Sequence, residues 1–145
     1  MAKGLTLDKF DKSLPMMLYR TLDVLIPKYR AVFKQHDISE TQWRILRVLW
    51  EHESCGAAEL ADSALLPASS LVGVIDRLIA KGLVQRTPSE NDRRKVEVRL
   101  TKKGRALLPK ITPKIDALYK DLQSSCDPKS WQTMINTMQQ IIEAA

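Results

Sequence analysis

The sequence predicts a mainly α-helical fold carrying one small β-hairpin. Three observations predict it. Apolar residues recur every three or four positions through most of the chain, capping residues stand at several boundaries between those runs, and one stretch, residues 83–105, holds an alternating segment beside a turn. At 145 residues, 44% hydrophobic and 28% charged, the chain has the size and composition of one globular domain with a real core. No apolar run approaches the roughly 18 residues of a membrane span. The opening MAKGLTLDKFDKS lacks the apolar middle region of a signal peptide, and only the first few residues look disordered. Residence in the cytoplasm, with no membrane partner, is therefore expected. Cys55 and Cys126 are too few for a disulfide scaffold and are expected as reduced thiols.

Each element has a local reason. Leu14, Leu18, Leu22, Leu25, Tyr29 and Phe33 mark a long first helix with one apolar stripe, and Pro27 should bend it. Ser39-Glu40-Thr41-Gln42 has the capping-box form, in which Ser39 and Gln42 reciprocally satisfy orphan N–H groups, and it opens a helix through Trp43, Leu46 and Trp50. Gly56 breaks the chain before a short helix, Ala57 to Ala64. After Leu65-Leu66-Pro67 a longer helix runs from about Ala68 to Lys81, with Gly82 where a left-handed residue is wanted. Leu83 to Arg86 and Val96 to Leu100 read as paired strands joined by the turn-rich Pro88-Ser89-Glu90-Asn91-Asp92. Thr101 caps a fifth long helix. Its interior Pro109 and Pro113 each delete a backbone bond, so a kink or two offset segments are expected. Asp127-Pro128 starts a last helix that puts Trp131, Met134, Ile135, Met138, Ile141 and Ile142 on one face.

Charge placement gives the arrangement a meaning. Residues 83–105 carry eight Lys/Arg against three Asp/Glu, which is five of the chain's six net positive charges. A pI near 9.4 permits nucleic acid, an acidic membrane surface or an acidic protein as partner. A ribbon tipped by Arg93, Arg94 and Lys95 is shaped to meet an anionic groove. A short helix, a tight turn, a second helix and a basic hairpin together make a winged helix-turn-helix, whose second helix enters the major groove of double-stranded DNA. On that helix Leu71, Val74, Ile75 and Leu78 form the inward stripe, leaving Ser69, Ser70, Gly73 and Arg77 on the other side. The small residues let the backbone approach the duplex, the serines hydrogen-bond bases or phosphates, and Arg77 takes a phosphate or a guanine. The plainer reading makes Ser69 and Ser70 caps of a surface helix and pairs Arg77 with Asp76 or solvent.

Several motifs stand in a telling order. Glu59-Leu60-Ala61, Ser70-Leu71, Asp76-Arg77-Leu78, Lys81-Gly82-Leu83-Val84, Arg86, Asp92-Arg93-Arg94 and Leu100-Thr101-x-x-Gly104 together resemble the core signature of MarR-type transcriptional regulators. The resemblance implies one domain over 1–145, a winged helix-turn-helix DNA-binding lobe at 39–105, and dimerisation helices at 8–38 and 106–145. It implies a homodimer on a roughly palindromic operator, with Arg94 in the minor groove, Asp92 orienting it, and Arg93 and Lys95 on neighbouring phosphates. Arg86 belongs to the same DNA-binding set. The interface would be built by Leu14, Leu18 and Leu22 with Trp131, Met134, Ile135, Met138, Ile141 and Ile142, stripes that a small domain could bury only partly against itself. Intrachain core packing is the alternative. Two copies would carry twice the chain's +6, so affinity should fall steeply with salt.

The resemblance also implies repression relieved by a small ligand between the dimer helices and the lobe. Thr41 to Arg47 and Ser70 to Val74 are most similar to repressors of aromatic-acid catabolism, such as homoprotocatechuate degradation, so a small aromatic carboxylate or its thioester is the expected effector. Tyr19, Arg20, Trp43, Arg44, Arg47 and Trp50 offer apolar walls and cations for it. Against this, tryptophans at helical spacing are more often core and arginines more often solvated. Pro109 and Pro113 depart from the family pattern. Two rival functions remain. One is a redox-responsive repressor using Cys55 or Cys126, though Glu51 and Glu53 near Cys55 disfavour its thiolate. The other is a helical adaptor whose basic hairpin binds an acidic protein. Enzyme motifs are lacking, and His52-Glu53-Ser54-Cys55 supplies two ligands at most, so no catalysis, metal or cofactor is expected.

Overall fold

The computed structural model describes residues 9–145; Asp8, the expected start of the first dimerisation segment, and the rest of the first eight residues, where disorder was expected, lie outside them. A 3-10 turn, Phe10–Lys12, leads into α1 (Leu14–Lys34), which runs through Pro27 without a break. α2 (Glu40–Glu51) opens on the expected capping box. The Gln42 N–H donates to Ser39 Oγ at 3.2 Å, and the Ser39 N–H donates to Gln42 Oε1 at 3.1 Å. Gln42 is buried, and its amide oxygen also accepts from Lys81 Nζ at 3.1 Å, which ties the start of α2 to the chain that follows α4.

β1 (Cys55–Gly56), α3 (Ala57–Ala64) and α4 (Ala68–Ala80) come next. Between the two helices Leu65 takes a left-handed φ of 52°, rare for a residue with a branched side chain. Arg44 steadies that turn, donating from Nη1 to the Ala64 carbonyl at 3.0 Å and the Leu65 carbonyl at 3.2 Å, oxygens that the end of α3 leaves open. Gly82 has the expected positive φ, 70°.

β2 (Val84–Pro88) and β3 (Val96–Leu100) pair antiparallel, from Val84 opposite Leu100 to Pro88 opposite Val96. β1 lines the other edge of β3, with Cys55 opposite Val98 and Gly56 opposite Glu97, so the sheet has three strands in the order β1-β3-β2. The sequence reading contains no β1, because two residues are too short to show a period. Pro88, assigned to the turn from sequence, is instead the last residue of β2, where a missing N–H is tolerated.

α5 (Lys102–Ser124) is one helix, which corrects the expectation of two offset segments. Pro113 follows Pro109 by four residues, so only the bonds to the Arg105 and Pro109 carbonyls are lost. Burial of Leu108 and Ile111, with Leu107, Ile115 and Leu118 packed against the core, holds the remainder in register. α6 (Pro128–Ala144) starts on Asp127, which accepts the Ser130 N–H at 2.8 Å; that bond holds the Asp127 carboxyl below its ordinary pKa. Among the described residues no single helix is long and apolar enough to cross a membrane.

The core lies where α2, α3, α4, the sheet and the first half of α5 converge, around Ile45, Leu46, Leu49, Leu60, Leu78 and Ile111. Phe33, near the end of α1, joins it. Val32 joins it too, with Tyr29 packed against it, whereas the first half of α1 and most of α6 leave their apolar residues exposed. Leu14, Leu18 and Leu22 are exposed, as are Met134, Ile135, Ile141 and Ile142, with Ile142 at 70% and Leu22 at 51%. Met138 is half-buried. Trp131 is the exception and a correction: it is buried within its own chain, edge-on to Tyr119 with ring centroids 5.5 Å apart. It stands in the first turn of α6, where it meets α5 through Tyr119.

Candidate nucleic-acid interface and effector groove

α4 presents its outer face as its period requires. Leu71, Val74, Ile75 and Leu78 are buried, while Ser69, Ser70 and Arg77 are exposed and Gly73 is half-buried. Pro67 occupies the N-cap position with no side-chain cap bond, so the serines are not capping residues, and among the described residues neither hydroxyl has a protein partner. The Arg77–Asp76 pair weighed from sequence does not form. Asp76 instead binds Arg86 at 2.7 Å, a link from α4 to β2. Arg86 is therefore a brace between α4 and β2, with Asp76 matching its charge. Arg77 has no ion pair among the described residues.

At the wing tip Arg93, Arg94 and Lys95 are all exposed and, among the described residues, free of ion pairs. Asp92 holds the backbone of the tip: its Oδ1 accepts the Arg94 N–H at 3.0 Å, and its carbonyl accepts the Lys95 N–H at 2.9 Å. Such a side-chain-to-backbone turn fixes where the next residues project. The base of the wing holds a residue that sequence reasoning missed. Glu97 accepts from Ser54 Oγ at 2.6 Å and from Ser89 Oγ at 2.9 Å. No local pattern signals this, because Ser54 is 43 positions away from Glu97.

A groove of about 810 Å³ runs between α1, the start of α2 and the α3–α4 turn, lined by Tyr19, Arg20, Leu22, Ile26, Arg44 and Leu65 among others. Of the six residues expected to hold an effector, it brings together Tyr19, Arg20 and Arg44. The other three are elsewhere. Trp43 stacks on Phe33 at a centroid distance of 5.2 Å against the core, Arg47 pairs with Glu51 at 2.9 Å, and Trp50 is exposed near the end of α2. One step along a helix turns a side chain by about 100°, so Arg44 and Trp43 cannot face the same space. Arg30 and Glu40, which sequence reasoning missed, pair at 3.2 Å on the groove wall, with Arg44 3.9 Å from the same carboxylate. The Nε–H of Arg44 is buried without an acceptor.

A second cavity, about 470 Å³, is lined by His36, Asp37, Lys81, Lys103 and Lys110. Its cations largely serve the fold: Lys103 Nζ donates to the Lys81 carbonyl at 2.8 Å, and Lys81 Nζ binds the Asp37 carbonyl. Among the described residues no three His, Cys, Asp or Glu side chains gather as a metal site.

The two thiols differ. Cys55 is buried in β1, and burial, followed by Glu59 and Glu97, pushes its pKa up to about 11. The carboxylates responsible are Glu59 and Glu97, not the sequence-adjacent Glu51 and Glu53. Cys126 is exposed. At pH 8 the Cys55 thiolate should amount to about one part in a thousand. Iodoacetamide is accordingly expected to label Cys126 alone in the folded chain, with mass spectrometry as the check; labelling of Cys55 at a comparable rate would revive it as a sensor.

The MarR family model matches residues 38–96. The homoprotocatechuate degradative operon repressor of Escherichia coli is 31% identical over 130 residues, spanning 90% of this chain and 88% of that protein. Among solved structures, NadR in complex with 4-hydroxyphenylacetate is 27% identical with a TM-score of 0.78, over 93% of this chain and 96% of that one. A MarR family transcriptional regulator from Silicibacter pomeroyi is 26% identical with a TM-score of 0.82, over 92% and 90%. A basic wing beside an exposed helix is a lobe built for DNA, and the likeness extends beyond that lobe through both flanking helices: the chain belongs to the MarR family of DNA-binding transcriptional regulators.

Proposed function

We propose that the chain is a homodimeric repressor that holds a palindromic operator until a small aromatic carboxylate, free or as its thioester, occupies the groove beside α1. The observation that carries this reading is the groove itself. It sets Tyr19 and apolar walls beside Arg20 and Arg44, two cations on the groove wall that a carboxylate would meet. The compound whose degradative operon one relative represses, homoprotocatechuate, and the ligand in the NadR complex, 4-hydroxyphenylacetate, are aromatic acids of this kind.

Dimerisation is supported by the exposed apolar faces of α1 and α6, which lie unpacked on a single chain. In this reading residues 39–105 form the lobe and the segments on either side form the dimer. Two copies of α4 then sit about one DNA turn apart, roughly 34 Å. Ser69, Ser70, Gly73 and Arg77 face the major groove while Arg93, Arg94 and Lys95 reach beyond it. The groove connects the dimer helix α1 to Leu65, the residue that sets the turn into α4. An occupant that prefers one spacing of the lobes therefore shifts the population away from the DNA-competent dimer.

Operator affinity measured against a panel of hydroxylated phenylacetates, benzoates and their thioesters tests the proposal. One compound is expected to weaken binding, and Arg20→Ala should raise the concentration it requires about tenfold while leaving ligand-free affinity within about twofold. A panel without effect, or an Arg20→Ala chain with the same response, would refute the groove.

A further inference from the structure

We propose that Glu97 is a positioning residue for DNA recognition: its carboxylate bolts the wing to the turn before β1 and so holds Arg93, Arg94 and Lys95 where the duplex needs them. The proposal rests on the wing-contact reading above.

The geometry is a clamp across three segments. Ser54, just before β1, donates to Oε2 at 2.6 Å, and Ser89, just past β2, donates to Oε1 at 2.9 Å. Both carboxylate oxygens are thus occupied from opposite sides of the central strand. Ser89 carries the restraint outward: it is buried, its N–H donates to the Lys95 carbonyl at 2.8 Å, and its Oγ accepts the Asn91 N–H at 3.3 Å. From Glu97 the bonds therefore reach the two ends of the tip that presents Arg93 and Arg94.

The tip needs such a restraint. β1 ends opposite Glu97, so beyond that level the sheet is a two-stranded ribbon, and residues 90–96 are all exposed. A ribbon of two strands without a core is marginal in water. The two hydroxyl bonds, with Arg99 adding to them, hold the Glu97 carboxyl below its ordinary pKa. A lowered folded pKa means that the contribution is present above the ordinary carboxylate value and is lost only as pH falls through the lowered one, so the clamp is closed at neutral pH.

Charge alone argues for the opposite outcome. Glu97 is one of three acids among eight Lys/Arg in residues 83–105, and deleting it should strengthen attraction to phosphate. The clamp predicts weakening, because an unbolted wing must be ordered at the moment of binding. The experiment is a double-mutant cycle on operator affinity with Glu97→Val, a substitution suited to a strand, and Arg94→Ala. Glu97→Val is expected to weaken binding about tenfold, and to cost clearly less in the Arg94→Ala chain, where one of the three wing contacts it serves is already gone. Ser54→Ala with Ser89→Ala, which leaves the net charge unchanged, should reproduce the loss and decides the matter if Glu97→Val does not fold. Affinity that stays level or rises, or losses that multiply through the cycle as a general destabilisation would, overturns the clamp. If Arg94→Ala itself has no effect, the wing-contact reading fails and the role given to Glu97 falls with it; if only Glu97→Val has none, the clamp alone is wrong.

Discussion

Replacing Gly104 with alanine is expected to destabilise the chain by about 3 kcal/mol, lowering the thermal midpoint by roughly 10 °C. A Cβ built at Gly104 lies 2.1 Å from the Leu83 carbonyl oxygen and 3.1 Å from its carbon, a clash with backbone and not with a side chain that could swing away. Neither partner yields cheaply. The Leu83 N–H is bonded to the Leu78 carbonyl at 3.0 Å, and its carbonyl accepts the Thr101 N–H at 3.1 Å. The Thr101 hydroxyl closes the joint, donating to the Gly82 carbonyl at 2.6 Å and accepting the Gly104 N–H at 3.1 Å. The Leu100-Thr101-x-x-Gly104 motif is thus a steric joint that presses the start of α5 onto the turn after α4. Gly73 supplies the control: a Cβ there meets only Arg77 Nη1, at 3.5 Å, so Gly73→Ala should leave stability unchanged or raise it by up to about 1 kcal/mol through helix propensity. Thermal unfolding of the two variants side by side checks both; a Gly104→Ala midpoint equal to wild type would mean the joint is slack.

Arg94→Ala is expected to cost about 3 kcal/mol of operator affinity per dimer, roughly a hundredfold, since each of two wings loses one contact. The side chain is exposed and, among the described residues, without an ion pair, so nothing within the chain competes for its charge. Its backbone is held by Asp92 Oδ1 at 3.0 Å, so the guanidinium leaves a fixed point. Arg86→Ala should look different. It breaks the 2.7 Å pair with Asp76 and acts through the brace between α4 and the wing. For Arg94→Ala the slope of log affinity against log salt should fall by about 2 for the dimer. Fluorescence anisotropy over a salt series reads both quantities; an affinity within threefold of wild type and an unaltered slope would take Arg94 out of the interface.

Much of the fold was legible because its signals are local. The capping box at Ser39 and Gln42, the caps Thr101 and Asp127, the left-handed Gly82 and the buried stripe of α4 each depend on residues within about four positions of one another, the range over which helix geometry acts. The basic wing was legible as composition. The site was legible only in part. Ser69, Ser70 and Arg77 fall on the outer face as their period requires, whereas Arg86, equally basic, is matched by Asp76 from another element. Among the effector candidates residue type alone grouped Trp43 and Trp50 with Tyr19 and Arg20, but one tryptophan packs on Phe33 and the other is not among the residues that line the groove.

The sequence by itself determined the helix order, the caps, the hairpin and its charge, and through the ordered motifs the family. Tertiary structure alone decided the rest. It added β1 as the third strand, kept α5 whole through two prolines, turned Trp131 inward, assembled the groove from α1, α2 and the Leu65 turn, and joined Ser54, Glu97 and Ser89. The physical reason is the same in each case. Helical and strand periods tell which way a side chain points on its own element, but a hydrogen bond between residues 43 positions apart follows no period and exists only once the core has brought two segments within 3 Å.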